Sequence, residues 1–439
     1  MKTLLLVLLT SAFAACIAAT LAVPATADDG YVACSNSDDV IPFDVLTYAV
    51  GTAIPLPADY PYPYDATMTP DGSEVWVPDA SGDHVVVIDV ATNSITHTIP
   101  VGEYPNSVVF IDDGSTALVS ARDGDYVTLI KTSDYSVTDS LYVLTGSGGI
   151  YDGPGNMALD PVSKNIYALD WYDDTLYEID PDASTVLRTA NVGIELWQLV
   201  VDPSGQYIYV TDRETAQVRV IDQATLTEVT AVDVGVDPWG IDVTLDGSRL
   251  VVACEDDSNV YVIDTSDWST TVIPLDAGAD PRDVDILDSE LHAFIAGGSI
   301  SATDAVYVIE LVGNTLKSTI PVGGNPNCVA VQAQMTSADV GVQSDAVAAA
   351  LGLGCHPNPF NPQTVIDFYM PERGAMELAV YDVSGRRVAL LERGTMDAGE
   401  HRTEWQGRCS DGSPAATGVY FVRLRALGGS KAVKAVLLK

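Results

Sequence analysis

The sequence predicts an all-β protein, a seven-bladed β-propeller followed by a small Ig-like β-sandwich, on three observations. A small-residue-plus-Gly step, usually Val-Gly, recurs at Gly102, Gly146, Gly193, Gly235, Gly278 and Gly323, at spacings of 42–47 residues. Each unit holds four short apolar runs separated by Asp, Gly, Ser and Asn turns, and four strands in a repeat of about 40–45 residues is the signature of a propeller blade. The two ends of the repeat array carry leftover strands that add up to one more blade.

The unit is clearest around Asp237-Pro238-Trp239-Gly240-Ile241-Asp242-Val243, which leads to the turn Leu245-Asp246-Gly247. Strands follow at Arg249 to Ala253, Asn259 to Asp264 and Ser269 to Leu275. Runs such as His84-Val85-Val86-Val87-Ile88 are almost continuously apolar, as expected of sheets covered on both faces by neighbouring sheets. Six complete units run from about Tyr62 to Gly323. Asn327 to Gln334 matches a first strand alone, and Tyr31 to Cys34, Asp39 to Asp44 and Thr52 to Leu56 match the other three. One blade is therefore expected to be shared by both ends of the domain, closing the ring and removing its exposed sheet edges.

The chain has 439 residues, a net charge of −40, 47% apolar and 19% charged residues. That apolar content excludes disorder as the dominant state. The acidity speaks against nucleic acid and against anionic lipid, both of which are bound through Lys and Arg. The charge is unevenly spread. Residues 355–439 carry eleven basic and nine acidic side chains, a balance of +2, which leaves −42 for residues 1–354.

Lys2 precedes an uncharged stretch from Thr3 to Ala27, and Ala25-Thr26-Ala27 offers a small-x-small cleavage site. Residues 1–27 read as a secretory signal peptide. A lipoprotein box at Phe13 to Cys16 and a retained membrane anchor are the rival readings. Cleavage leaves no transmembrane helix in the mature protein and permits disulfides. The expected organisation is thus signal 1–27, propeller 28–334, linker 335–354 and sandwich 355–439. Cys34 and Cys328 fall at adjacent ends of two strands of the shared blade, so a Cys34–Cys328 disulfide is expected to latch the ring. A Cys355–Cys409 pair is expected to tie the sandwich.

The motif wording resembles the YVTN family of seven-bladed propellers. Ile208-Tyr209-Val210-Thr211-Asp212, the Val-Ile-Asp steps and Ile320-Pro321-Val322-Gly323 carry the likeness, which implies the fold and leaves function open between surface proteins and enzyme-like relatives. Pro357-Asn358-Pro359-Phe360-Asn361-Pro362, Val380-Tyr381-Asp382-Val383-Ser384-Gly385-Arg386 and Gly418-Val419-Tyr420-Phe421-Val422 closely resemble the C-terminal sorting domain of type IX secretion cargo. They are equally similar to the related Ig-like module of flagellar hook-cap proteins. The resemblance implies export through outer-membrane secretion machinery and a secreted or cell-surface location, with a periplasmic or lipid-anchored protein as the alternative.

Aligning the units places Tyr64, Asn106, Gly155, Trp197, Trp239, Arg282 and Asn327 where each first strand begins, at one mouth of the central channel. Aromatic rings with Arg and Asn suit a glycan or a protein segment. On the loops joining second and third strands, Asp79, Asp123, Asp170, Asp212 and Asp256 form a candidate Ca²⁺ set, or else cap their own turns. No zinc spacing, nucleophile elbow, phosphate loop or dinucleotide fingerprint occurs. The leading expectation is a surface-associated binding or structural propeller. The alternatives are a metal-dependent hydrolase of the lactonase type, using the Asp set, and a quinoprotein-like oxidoreductase.

Overall fold

The computed structural model describes residues 28–57, 62–111, 114–143, 153–181, 185–287, 292–299, 304–333, 351–371, 373–381, 387–409, 414–426 and 429–438. The expected signal peptide and residues 335–350 of the expected linker lie outside them.

Seven antiparallel four-stranded sheets occupy residues 28–333 among the described residues. In chain order they cover 67–100, 105–142, 154–191, 196–233, 238–274 and 279–321, here called blades 1 to 6. Blade 7 is built from both ends of the array, with Pro326–Ala333 hydrogen-bonded to Asp28–Cys34, then Asp39–Asp44 and Ile54–Pro55.

The burial pattern explains the sequence pattern. Ile166–Asp170, the second strand of blade 3, is buried at every position, whereas its outermost strand Thr185–Asn191 alternates between exposed and half-buried. Inner strands touch a neighbouring blade on both faces, and the rim strand does not. The apolar residues sort into seven inter-blade clusters, one per gap. Trp76 and Val87 of blade 1 meet Phe110 and Val119 of blade 2, and Tyr31 and Val40 of blade 7 meet Val75 and Val86 of blade 1. The last gap is filled like the others, so the ring is closed by packing as well as by hydrogen bonds.

The expected Cys34–Cys328 disulfide is not formed, and the register shows why. Cys328 is paired with Ala33, while Cys34 falls opposite Pro326 after a register shift. A one-residue offset sends a strand side chain to the other face of the sheet. Cys34 therefore packs toward blade 6, with Phe294 and Val306, and Cys328 packs toward blade 1, with Val75 and Val86. Both thiols are free and buried; burial pushes the Cys34 thiol up to about 12. Reducing agent is expected to leave the melting temperature unchanged, and non-reducing peptide mapping to recover Cys34 and Cys328 unlinked. A linked dipeptide would contradict this register.

The C-terminal domain packs a three-stranded sheet, Gly352–His356, Thr364–Met370 and Gly399–Trp405, and a four-stranded one, Arg387–Met396, Gly374–Tyr381, Gly418–Ala426 and Gly429–Leu437, around one core. Phe360, Trp405, Tyr420 and Leu437 lie in that core. Leu351 is buried there too, and the first strand starts at Gly352, so residues 351–354, expected as linker, are part of the sandwich. Cys355 and Cys409 both lie against the core but are not bonded. The Cys355 sulfur is 3.1 Å from Thr364 Oγ1, so the second expected disulfide is also absent.

Candidate functional site: the aromatic channel mouth

The innermost strands of blades 2 to 6 share one irregularity. Pairing with the second strand jumps from Pro105 to Val108, Pro154 to Met157, Leu196 to Leu199, Pro238 to Ile241 and Pro281 to Asp283. Such bulges re-aim side chains and release backbone N–H groups. The skipped residues include Asn106, Gly155, Trp197, Trp239 and Arg282, the ring aligned from sequence.

Two of the skipped N–H groups, those of Ser107 and Gln198, are taken up within their own blade by Ser120 Oγ and Thr211 Oγ1, each at 3.0 Å, and other N–H groups of the innermost strands are taken up by the preceding blade. Met157 N–H donates to Ser107 Oγ at 3.4 Å, Leu199 N–H to Asn156 Oδ1 at 3.0 Å and Ile241 N–H to Gln198 Oε1 at 2.9 Å. Ile286 N–H donates to Asp242 Oδ2 at 2.8 Å and Val329 N–H to Asp283 Oδ2 at 2.9 Å. Asn327 Nδ2 of blade 7 donates to Pro63 O at 3.3 Å, just before blade 1. A belt of side-chain-to-backbone bonds thus links successive blades round the channel and satisfies amides on the inner edges of the first strands, which would be costly if buried unpaired.

Tyr64, Asn106, Trp197, Trp239, Arg282 and Asn327, all expected from sequence, line one pocket. Trp171 stacks on Trp197 with ring centroids 4.2 Å apart at 10°, Trp197 meets Trp239 at 4.5 Å, and Tyr64 meets Trp171 at 5.7 Å. Trp171 Nε1 donates to Trp197 O at 2.7 Å. The Arg213 guanidinium lies over Trp197 and Trp239, 4.7 and 4.9 Å from the ring centroids. It is held from below by Asp237, whose Oδ2 accepts from Arg213 Nη2 at 2.9 Å and from Trp239 Nε1 at 3.1 Å. Arg282 donates to Glu255 Oε1 at 2.9 Å and Asn327 Oδ1 at 3.0 Å. The two arginines are therefore matched by one acid each, and the rings form a rigid plug. Gly155 sits against this plug, since a Cβ there would lie 2.5 Å from the Trp171 indole.

Trp171 and Arg213 were not in the sequence-aligned ring. Both stand one residue past the end of a second strand, Ile166–Asp170 and Tyr207–Asp212. Arg122 and Glu255 hold the same place in blades 2 and 5. That alignment column carried the signal.

The five aspartates do not share one position. Asp79, Asp170 and Asp212 end second strands and are buried, whereas Asp123 and Asp256 lie two residues beyond the strands Thr116–Ala121 and Arg249–Cys254. Asp170 Oδ1 accepts from Tyr172 N–H and Asp173 N–H. Asp212 accepts from Thr215 N–H and pairs with Arg219 at 2.8 Å. Asp79 accepts from Tyr62, Ser81 and Gly82, and Asp123 pairs with Arg122 at 3.0 Å. Among the described residues, no three His, Cys, Asp or Glu side chains converge as a metal centre of those groups would require.

Beneath the plug lie Asp65, Asn156, Gln198 and Asp283, which line both the mouth pocket and the channel below it. Burial raises the carboxyls of both acids, Asp65 to about 6 and Asp283 to about 7, and the charge of Asp65 adds to the rise at Asp283. Asn106 is 2% exposed, and neither its Oδ1 nor its Nδ2 has a partner. The open space among the plug residues is only about 50 Å³, against about 340 Å³ in the channel. Pockets that enclose a drug-sized ligand have several hundred Å³, so a glycan or protein segment would rest on the outside of the plug.

Comparison with known proteins fits this architecture. Residues 363–430 match the FlgD Ig-like domain family. No protein of curated function matches the sequence. Among solved structures, the chain resembles a functionally unknown protein from Desulfotomaculum acetoxidans, with TM-score 0.58 and 17% identity over 70% of this chain and 99% of that one. It also resembles Kuenenia stuttgartiensis hydrazine synthase, at 0.55 and 18% over 63% and 91%, and the dihydro-heme d1 dehydrogenase NirN, at 0.51 and 15% over 85% and 75%. At these identities the likeness is one of fold. The chain is an all-β propeller protein that carries a FlgD Ig-like domain near its C-terminus.

Proposed function

We propose that this protein is exported and acts at the cell surface as a binding module. Its channel mouth takes a protein or glycan partner, and its FlgD Ig-like domain serves for sorting or anchoring through outer-membrane secretion machinery. The observation that carries the binding reading is the convergence of Tyr64, Trp171, Trp197 and Trp239 at one mouth, held rigid by Arg213 and Asp237. Rigid aromatic groups with buried polar partners are typical binding hot spots. Tyr172, Ile194 and Val236 lie on the loops around the plug and are 62%, 52% and 52% exposed. Such an apolar margin favours a protein surface over a sugar. The signal-like residues 1–27 and the sandwich motifs support export, and the repeat wording supports a YVTN-type ring.

Screening the mature protein against protein fragments and a glycan array tests the mouth. Trp197→Ala should weaken the partner found by about 30-fold or more, with an unchanged fold by circular dichroism; unchanged affinity would sink this reading. For the tail, residues 351–439 fused to a periplasmic reporter should bring it to the surface of a host with type IX secretion. A reporter that stays in the periplasm would remove the sorting role.

A further inference from the structure

We infer that the floor of the mouth is a Ca²⁺ site formed by the carboxylates of Asp65 and Asp283 and the amide oxygen of Asn106. This goes beyond partner binding and uses different residues from the outward-facing plug.

Charge, an unpartnered group and size point the same way. Asp65 and Asp283 face one pocket and repel each other. The nearest basic side chains are engaged elsewhere, Arg282 with Glu255 and Asn327 and Arg213 with Asp237. The two acids accept hydrogen bonds, Asp65 from Ala66 N–H at 2.7 Å, Val108 N–H and the Ser107 and Thr67 hydroxyls, and Asp283 from Val329 N–H, Val284 N–H and Gln198 Nε2. None of those donors carries a charge, so a net negative charge remains in an enclosed space. Asn106 lines the same pocket, is almost fully buried and has no partner for either amide atom. Asn327, which holds the same place in blade 7, bridges Arg282 and Pro63, and the neighbouring amides of Asn156 and Gln198 accept backbone N–H groups. A buried carboxamide is costly without a partner, and a cation would use its oxygen.

About 50 Å³ of open space holds an ion with a water molecule but no organic ligand. The oxygens are carboxylate and carboxamide, the set that Ca²⁺ takes with tolerance for irregular geometry, and the channel can supply waters to complete six to eight ligands. The acidic ring would raise the local cation concentration.

The test uses the mature full-length protein, stripped with chelator and titrated with CaCl₂ alone. Calorimetry should show one saturable site, and the melting temperature should rise by about 5 °C at saturation. Asp283→Asn and, separately, Asn106→Leu should abolish both signals. Asn106→Leu replaces the unpartnered amide by an apolar group of similar size, so it should fold and should not lower stability in chelator. No saturable site in the wild type, a site unaffected by both substitutions, or a preference for Zn²⁺ would overturn the inference. Trp197→Ala should keep the Ca²⁺ response, so loss of partner binding and loss of the ion are read separately.

Discussion

Gly240→Ala is expected to destabilise the propeller by about 3 kcal/mol, a fall in melting temperature of about 6 °C for a domain of this size. Gly240 sits in the bulge of blade 5, where the innermost strand Pro238–Val243 lies against Ala279–Ile286 of blade 6. A Cβ at this position would lie 2.6 Å from Asp283 Cα, 2.7 Å from Arg282 O and 2.9 Å from Val284 N. Those are backbone atoms, so no side chain can rotate out of the way. Relief requires blades 5 and 6 to separate, and in a closed ring that strain passes to every other gap. The same shift would stretch the bonds that cross that gap, Ile286 N–H to Asp242 Oδ2 and Arg282 Nε to Glu255 Oε1, of 2.8 and 2.9 Å. Gly323→Ala is the control, because nothing lies within 4 Å of its added Cβ. It should change stability by less than about 1 kcal/mol. Equal melting temperatures for the two variants would show that the inner strands tolerate separation.

That close approach also bears on what a single sequence can reveal. The ring was legible because blade geometry repeats: the Val-Gly steps and apolar runs recur wherever a strand is covered on both faces. Asp39–Asp44 and Gly418–Ala426 were placed to the residue. The six mouth residues were legible for the same reason, since they occupy one column of the repeat. The missed features depend on offsets of one or two residues. Spacing brought Cys34 and Cys328 together, but the bulge after Ala33 sends them to opposite faces. Asp123 and Asp256 look equivalent to Asp79 in an ungapped reading, yet they lie beyond the strand end that Asp79 occupies. Asp65 and Asp283 were invisible because neither belongs to a motif. Their character comes from enclosure and from each other, which only the closed ring supplies.

The second large effect concerns that pair. In chelator, the wild-type protein is expected to lose stability as pH rises from 5 to 8, and Asp283→Asn to lose less. Burial is the main cause of the raised carboxyls, Asp65 at about 6 and Asp283 at about 7. For an acid raised above its unfolded value near 4, the folded state binds the proton more tightly. Its stabilising contribution is full below about pH 4 and is lost as pH climbs through the folded value. Here the window runs from about 4 to 7. The rise of Asp283 to about 7 is worth on the order of a few kcal/mol, moderated because the side chain borders the open channel. The groups facing it are Asp65, the amides of Val329 and Val284, and Gln198, with Tyr62, Tyr64, Arg282 and Cys328 lining the same pocket. A chain of charge −40 also repels itself more strongly as pH rises, so the slope of the wild type alone decides nothing. The difference between wild type and Asp283→Asn isolates the pair. Asparagine cannot ionise, and Asp65 beside it loses a repelling charge, so the variant should gain on the wild type steadily between pH 5 and 8. Parallel melting curves across that range would mean that the two carboxyls do not share one enclosed space, and the electrostatic argument for a cation beneath the plug would fall with them.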